Sequence, residues 1–295
     1  MNAELLIMFT LDCDRAYLYA HPERELTADE MARYDAALAR RATGVPAQYI
    51  TGHQEFWGMD LIVSSAVLIP RPETEHVIEA VLELVSSTEA MQSQSQSQQQ
   101  DQRPRTEPAL SLPKGVSAPH KLRIVDVGTG SGAIALALAR ELPLAEIHAT
   151  DISEEALEVA RANAARHELT PRITFHHVDL LSGLPPGEVD IVVSNPPYVG
   201  ESEEDSVQLE VRKYEPRGAV FAGPTGLEVI ERLIPQAHAA LRAGGWLVFE
   251  ISGTIVDGVR PLLGGWAKVA IRNDLQGIPR VVVARKPEDS SPFLK

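Results

Sequence analysis

A single cysteine, Cys13, stands in 295 residues. One sulfur excludes an internal disulfide and cannot assemble a thiolate metal cluster, so its expected role is that of a small buried hydrophobe. Long apolar runs are also missing. No stretch of about 18 such residues occurs and no basic-then-apolar segment opens the chain, so a soluble, cytoplasmic protein is expected. Positive charge is scarce: 27 Lys and Arg stand against 41 Asp and Glu, a formal net charge of −14. Broad electrostatic binding to DNA or RNA needs a basic surface and is argued against; a basic protein partner is compatible with this balance. What is present is 44% hydrophobic, enough for one large or two modest cores.

Three regions follow from composition and periodicity. Residues up to about 60 read as a small helical domain, in which Thr27 and Glu30 form a capping box and Met31, Tyr34, Leu38 and Ala42 recur at helical spacing. Residues 86–120 hold the run Gln92 to Gln100 of glutamine and serine with scattered prolines, a polar insert unable to bury enough surface to offset its ordering entropy. From Lys121 the chain alternates strand and helix patterns, the mark of an α/β fold with a parallel, doubly wound sheet. Leu157, Ala160 and Ala164 form the buried stripe of one helix capped by Ser153, and the segments Val269–Arg272 and Arg280–Ala284 read as a closing antiparallel hairpin.

Asn195-Pro196-Pro197-Tyr198 follows the apolar run Val189–Ser194, at the expected carboxyl end of a strand. The two prolines fix φ and carry no N–H, so their carbonyls point outward with little competition. The loop offers the Asn195 side-chain oxygen, the Pro196 carbonyl and the Tyr198 ring: a socket for a planar group bearing an NH2, an amide or the exocyclic amine of a base. The plain alternative is a proline turn at a strand end.

Upstream, Asp126-Val127-Gly128-Thr129-Gly130-Ser131-Gly132 lies between a strand-like run and the helix-like Ala133–Arg140. Alternate glycines allow a tight turn and close approach of a ligand, with free N–H groups behind them. The spacing is not that of a dinucleotide turn. Asp151 ends the next strand about 20 positions on, the separation expected for a carboxylate that holds ribose hydroxyls. No phosphate-binding lysine accompanies it, which suits S-adenosylmethionine better than NAD. Helix capping beside Ser153 is the alternative for Asp151.

These motifs, with Pro46–Gly52, Glu55–Gly58, Leu68–Glu75, Tyr214–Arg217 and Gly223–Leu227, resemble the HemK-type protein-(glutamine-N5) methyltransferases of peptide chain release factors. Asn-Pro-Pro-Tyr is shared by many amino-group methyltransferases, whereas the Pro-Arg-Pro-Glu-Thr-Glu segment is far more specific. The resemblance implies a class I S-adenosylmethionine-dependent methyltransferase, a Rossmann-like seven-stranded sheet with a small N-terminal helical domain. It divides the chain into a helical substrate-docking domain (1–60), a connecting hairpin and helix (61–85), a flexible insert (86–120), the methyltransferase domain (121–286) and a tail (287–295).

By the same resemblance, Gly128, Thr129, Gly130, Ser131, Gly132, Asp151, Asp179, Leu180 and Asn195 bind the cofactor. Asn195, Pro196, Pro197 and Tyr198 bind the substrate, with Asn195, Pro196 and Tyr198 catalytic. Capping is the alternative for Asp179. Arg71, Glu73 and Glu75 latch the helical domain or form structural ion pairs, and Glu215 and Arg217 fix the catalytic loop or touch substrate. Asn163 reads as a polar helix residue, and the adjacent His176 and His177 point to opposite faces of a strand. The acidic run Glu201–Asp205 is a solvated loop near the expected substrate mouth.

The helical region ahead of Pro46 looks shorter than the family's, as if a first helix were missing, and the insert is atypical. Glu250-Ile251-Ser252 replaces the usual Glu-Ile-Gly. The expected partner is a release factor, with no membrane, no nucleic acid and no second copy. The competing readings are a methyltransferase of adenine N6 or guanine N2 acting on a flipped base, and a non-enzymatic binding protein that kept a cofactor fold.

Overall fold

The computed structural model describes residues 2–87 and 121–288. The expected insert falls almost wholly outside these residues, as does most of the tail.

The N-terminal part is helical: α1 (Asn2–Leu11), α2 (Arg15–Ala20), α3 (Ala28–Ala42) and α4 (Ala47–Thr51). Helix α3 begins with the expected capping box, Thr27 N–H donating to Glu30 and Glu30 N–H to Thr27. Its packing face differs from the expected stripe. Tyr34, Ala37 and Leu38 meet Leu6 and Ile50, whereas Met31 and Ala42, toward the two ends of α3, are exposed because α1 and α4 cover only its middle. Cys13 is half-buried, so the expectation of a fully buried residue is too strong.

A hairpin of β1 (His53–Phe56) and β2 (Met59–Ile62) straddles the boundary expected at residue 60. A 3-10 turn, Pro72–Thr74, then leads into helix α5 (75–87).

The remainder is an α/β unit. Strands β3 (Arg123–Val127), β4 (Glu146–Asp151), β5 (Ile173–His177), β6 (Val189–Ser194), β9 (Leu241–Glu250), β10 (Ala267–Asn273) and β11 (Pro279–Arg285) form one sheet in the order β10-β11-β9-β6-β3-β4-β5. Only β11 runs against its neighbours, through the antiparallel closing hairpin. This is the seven-stranded sheet that the resemblance implies. Two short strands, β7 (Val199–Gly200) and β8 (Phe221–Gly223), pair separately beyond β6, with the short helices α8 (Leu209–Tyr214) and α9 (Arg217–Val220) between them in the chain.

One apolar layer packs α5 and α6 (Ala133–Glu141) on one face of the sheet, and another packs α10 (Glu228–Ala240) and α11 (Val256–Leu262) on the other. Central strands are buried on both sides, which is why Val189 to Ser194 is buried throughout and shows no alternation. Helix α7 (Glu154–Arg166) buries Leu157, Ala160 and Ala164 as expected.

Chain order reverses between β3 and β6, the point where ligands settle outside the carboxyl ends of such sheets. The register aligns those ends. Val127 pairs with both Thr150 and Ser194, and Ser194 with Phe249. The glycine turn, Asp151, Asn195 and Glu250 therefore leave four neighbouring strands at one level.

Candidate active site

The glycine turn is fixed from behind. Gly128 and Thr129 N–H both donate to the Thr150 carbonyl at 2.9 Å, and Gly130 N–H donates to Asp151 Oδ2 at 2.9 Å. Gly130 lies at φ +56°, and a Cβ there would meet nothing within 4 Å, so the turn has a bare face toward open space. Gly132 differs: a Cβ would sit 3.2 Å from that of Ala160, so close helix packing requires this glycine. The Thr129 hydroxyl donates to Asp126 at 2.7 Å, and the Ser131 carbonyl accepts from Asn163, so both residues face inward.

Asp151 also accepts from the N–H of Ser153, the residue that caps α7, at 2.9 Å, and burial raises its carboxyl pKa despite these donors. Asp151 thus anchors the turn and steadies the capping residue, while the cap itself is the Ser153 hydroxyl, which accepts from Ala156 N–H at 3.1 Å. Asp179 lies beyond β5 with its carboxylate paired to Arg232 of α10. Leu180 follows in a left-handed conformation at φ +52° and packs against the α10 layer.

Asp126 is fully buried, and burial pushes its carboxyl up to about 7. Its Oδ2 accepts from Thr129 and from Ala135 N–H, while Oδ1 has no partner among the described residues. An unpartnered carboxylate oxygen behind a bare glycine turn suits a ligand carrying positive charge. With the half-buried Asp151 carboxylate beside the turn, the residues fit S-adenosylmethionine, which bears a sulfonium and an ammonium.

On the opposite side, Asn195 Nδ2 donates to the Thr74 hydroxyl at 3.0 Å. Thr74 donates to Glu250 Oε2 at 2.7 Å, and the Tyr198 hydroxyl to Glu250 Oε1 at 3.0 Å. Glu250 is 1% exposed and Thr74 4%. Burial raises the Glu250 pKa and, together with that carboxylate, the Tyr198 phenol. Among the described residues no donor reaches Asn195 Oδ1 or the Pro196 carbonyl. Thr74 and Glu250 are absent from the residues expected at the site. The signal was partly there: Thr74 lies within the family-specific Pro70–Glu75 segment, and Glu250 is an acid closing an apolar strand.

Further groups hold this frame. Glu215 is buried, accepting from Ile69 N–H at 3.2 Å and pairing with Arg71. Glu75 accepts from Trp57 N–H at 3.0 Å. The first ties the connecting segment to the sheet unit, and the second ties it to the β1–β2 hairpin. Arg217 grips Glu204 through both terminal nitrogens, at 2.9 and 3.0 Å, so the acidic run is a folded 3-10 segment, Glu201–Ser206, and not a loose solvated loop.

Asn163 is a correction. It is fully buried and bonds Ile62 N–H, the Ile62 carbonyl and the Ser131 carbonyl at 2.7, 3.0 and 2.9 Å. It clamps the hairpin to the glycine turn, a role invisible from its mid-helix position. His176 turns to His148 and His177 to the Ile152 carbonyl, on opposite faces as expected.

Comparison with known proteins agrees with this geometry. The chain matches the PrmC N-terminal domain over residues 1–52 and the Methyltransferase small domain over 111–212. It is 52% identical over 290 residues to a release factor glutamine methyltransferase of Koribacter versatilis, covering 97% of this chain and 91% of that protein. A protein of the same name from Chlorobaculum tepidum is 39% identical, with 95% and 88% covered. Among solved structures, the hMettl16 catalytic domain in complex with an RNA hairpin shares the fold, at TM-score 0.57 and 18% identity over 95% of each chain. A relative more than half identical along nearly the whole chain leaves one assignment: the protein belongs to the release factor glutamine methyltransferase family.

Proposed function

We propose that this enzyme transfers a methyl group from S-adenosylmethionine to the side-chain amide nitrogen (N5) of the glutamine in the Gly-Gly-Gln motif of peptide chain release factors, modulating translation termination. One observation carries the reading: the Asn195 amide is tied inward through its NH2, next to a Pro196 carbonyl that no donor among the described residues reaches. Both oxygens are left as acceptors.

An amide nitrogen is a poor nucleophile because its lone pair is delocalised into the carbonyl. Asn195 Oδ1 and the Pro196 carbonyl each accept one N–H of the substrate NH2, which turns the lone pair toward the methyl donor. S-adenosylmethionine supplies an electrophilic methyl group bound to a sulfonium. Positioning of this kind is worth about 7–11 kcal/mol of barrier. Proline matters because its carbonyl direction is nearly predetermined, so little reorganisation accompanies reaction. Tyr198, its hydroxyl held by Glu250, lays its ring against the substrate amide. No general base is needed before transfer, because the nitrogen-bound proton becomes acidic only after alkylation and then passes to water.

Gly128 and Gly130 hold the methionine and ribose part of the cofactor, with Thr129, Ser131 and Gly132 shaping the turn, Asp151 on the ribose and Asp126 toward the positive charge. Asp179 and Leu180 border the adenine. The N-terminal helices dock the release factor, and the acidic segment Glu201–Asp205 attracts its basic loop. The enzyme acts as a monomer in the cytoplasm.

The test is methyl transfer to purified release factor, DNA and ribosomal RNA in parallel, with mass-spectrometric localisation of the added group. Methyl on the glutamine of the Gly-Gly-Gln loop is expected. Methylated nucleic acid with an untouched release factor overturns the proposal.

A further inference from the structure

Behind the acceptor loop, three segments distant in sequence meet in a chain of hydrogen bonds whose central link, Thr74 to Glu250, is buried: Asn195 to Thr74, Thr74 to Glu250, Tyr198 to Glu250. A threonine hydroxyl carries one hydrogen, and an ionised carboxylate can only accept. With Glu250 ionised, Thr74 must donate to it, leaving only lone pairs for Asn195. The Asn195 amide then turns its NH2 inward and its Oδ1 toward the site. With the Glu250 proton on Oε2, the oxygen that faces Thr74, the carboxyl donates to Thr74, and the Thr74 hydrogen is released toward Asn195. The amide is then satisfied the other way round, with Oδ1 inward and NH2 facing the substrate NH2, donor against donor.

We infer that Thr74 and Glu250 are positioning residues that set which end of the Asn195 amide faces the substrate, through the single hydrogen of the Thr74 hydroxyl, so that methyl transfer requires Glu250 as the carboxylate. The inference rests on the reading of Asn195 Oδ1 as an acceptor for the substrate amide. It gives the Pro-Glu-Thr-Glu segment a task at the reaction centre that neither its sequence distance nor its polarity discloses.

The groups facing Glu250 are few. Arg280, from β11, is held by Asp274 at 2.9 Å and favours the carboxylate. Glu73, from the 3-10 turn, disfavours it, and Tyr198 and Thr74 donate to it; Arg71 acts on the Tyr198 side. Burial outweighs the rest and moves the Glu250 titration upward from 4.5. The ionised form is lost as pH falls through that raised value, so the acid limb of kcat lies above the ordinary glutamate range. Arginine, tyrosine and threonine do not titrate there.

The test combines turnover with a resonance read without any turnover. In wild-type enzyme with 15N-labelled asparagine, the side-chain NH2 signal assigned to Asn195 by its loss in Asn195→Asp is followed against pH in the free protein. Its shift is expected to change with the same midpoint as the acid limb of kcat, measured at saturating cofactor and release factor. Thr74→Val is expected to lower kcat about 10- to 100-fold with KM values within about threefold, and to erase that limb. Thr74→Ser, which keeps the hydroxyl, restores both. A pH-independent Asn195 signal across the limb, or wild-type kcat and limb in Thr74→Val, overturns the inference. Asn195→Ala separates the two claims: retained transfer in that variant sinks the acceptor reading itself, whereas lost transfer with an unaffected Thr74→Val sinks only the relay.

Discussion

On the cofactor side, the turn from Gly128 to Gly132 is held mainly by its own neighbourhood: backbone N–H groups on the Thr150 carbonyl, Asp151 across one strand, Thr129 on Asp126. On the acceptor side, Asn195 and Tyr198 are held by side chains brought from far away, Thr74 lying 121 positions upstream of Asn195 and Glu250 lying 52 downstream of Tyr198. The first half is built from the parallel-sheet geometry that many nucleoside-binding proteins share. The second needs the connecting segment in place, because Thr74 lies between Arg71, which pairs with Glu215, and Glu75, which accepts from Trp57 N–H. On the proposed function, cofactor binding and methyl transfer are therefore expected to be separable by mutation.

The sharpest separation is Asn195→Ala, expected to lower kcat about 10²–10³-fold while cofactor affinity, read by calorimetry, stays within a few-fold. Gly226→Ala comes next. Gly226 lies at φ +85°, and a Cβ there would sit 2.6 Å from the Tyr198 carbonyl, so the acceptor loop must shift. A displacement of about 1 Å at the reacting groups costs about 10²-fold in kcat, and single-turnover kinetics with intact cofactor binding checks it.

Effects on the cofactor half appear in stability. Asp126 has a folded value of about 7 against an ordinary 3.8. A carboxyl raised on folding destabilises the native state as pH climbs, from the unfolded value up to the folded one, by on the order of 4 kcal/mol. Denaturant unfolding of wild type against Asp126→Asn should show the gap moving in favour of the variant between pH 4 and pH 7; parallel curves contradict it. Asn163→Ala strands three backbone groups and is expected to cost about 2–4 kcal/mol and to weaken cofactor binding, with kcat at saturation little changed. Arg217→Ala is the smallest: its pair with Glu204 is solvent-exposed, so the melting temperature should barely move.

The same division governs what the sequence discloses. The α/β core, the closing hairpin, the α7 stripe and the Thr27–Glu30 capping box are local patterns, and periodicity or spacing reads them directly. Gly128 to Gly132, Asp151 and Asn195 to Tyr198 are legible because each follows a strand, and sheet register does the rest. Thr74, Glu250 and Asn163 are not legible, since each acts on a group dozens of residues away and looks locally like a turn residue, a strand end or a polar helix residue. Met31 and Ala42 are exposed for a related reason: helical spacing gives a stripe, but only the packing of α1 and α4 decides how much of it is covered. Glycines show both cases. Gly130 is required by an open cradle, which the motif announces, whereas Gly226 is required by a carbonyl from another segment, which it does not.

The grip on the substrate amide is tested most directly by a crystal structure of the enzyme with S-adenosylhomocysteine and a release factor domain carrying the Gly-Gly-Gln loop. Asn195 Oδ1 and the Pro196 carbonyl are both expected at about 3 Å from the glutamine amide nitrogen. A glutamine nitrogen bonded elsewhere, with the Asn195 side chain turned from the cofactor sulfur, contradicts the account.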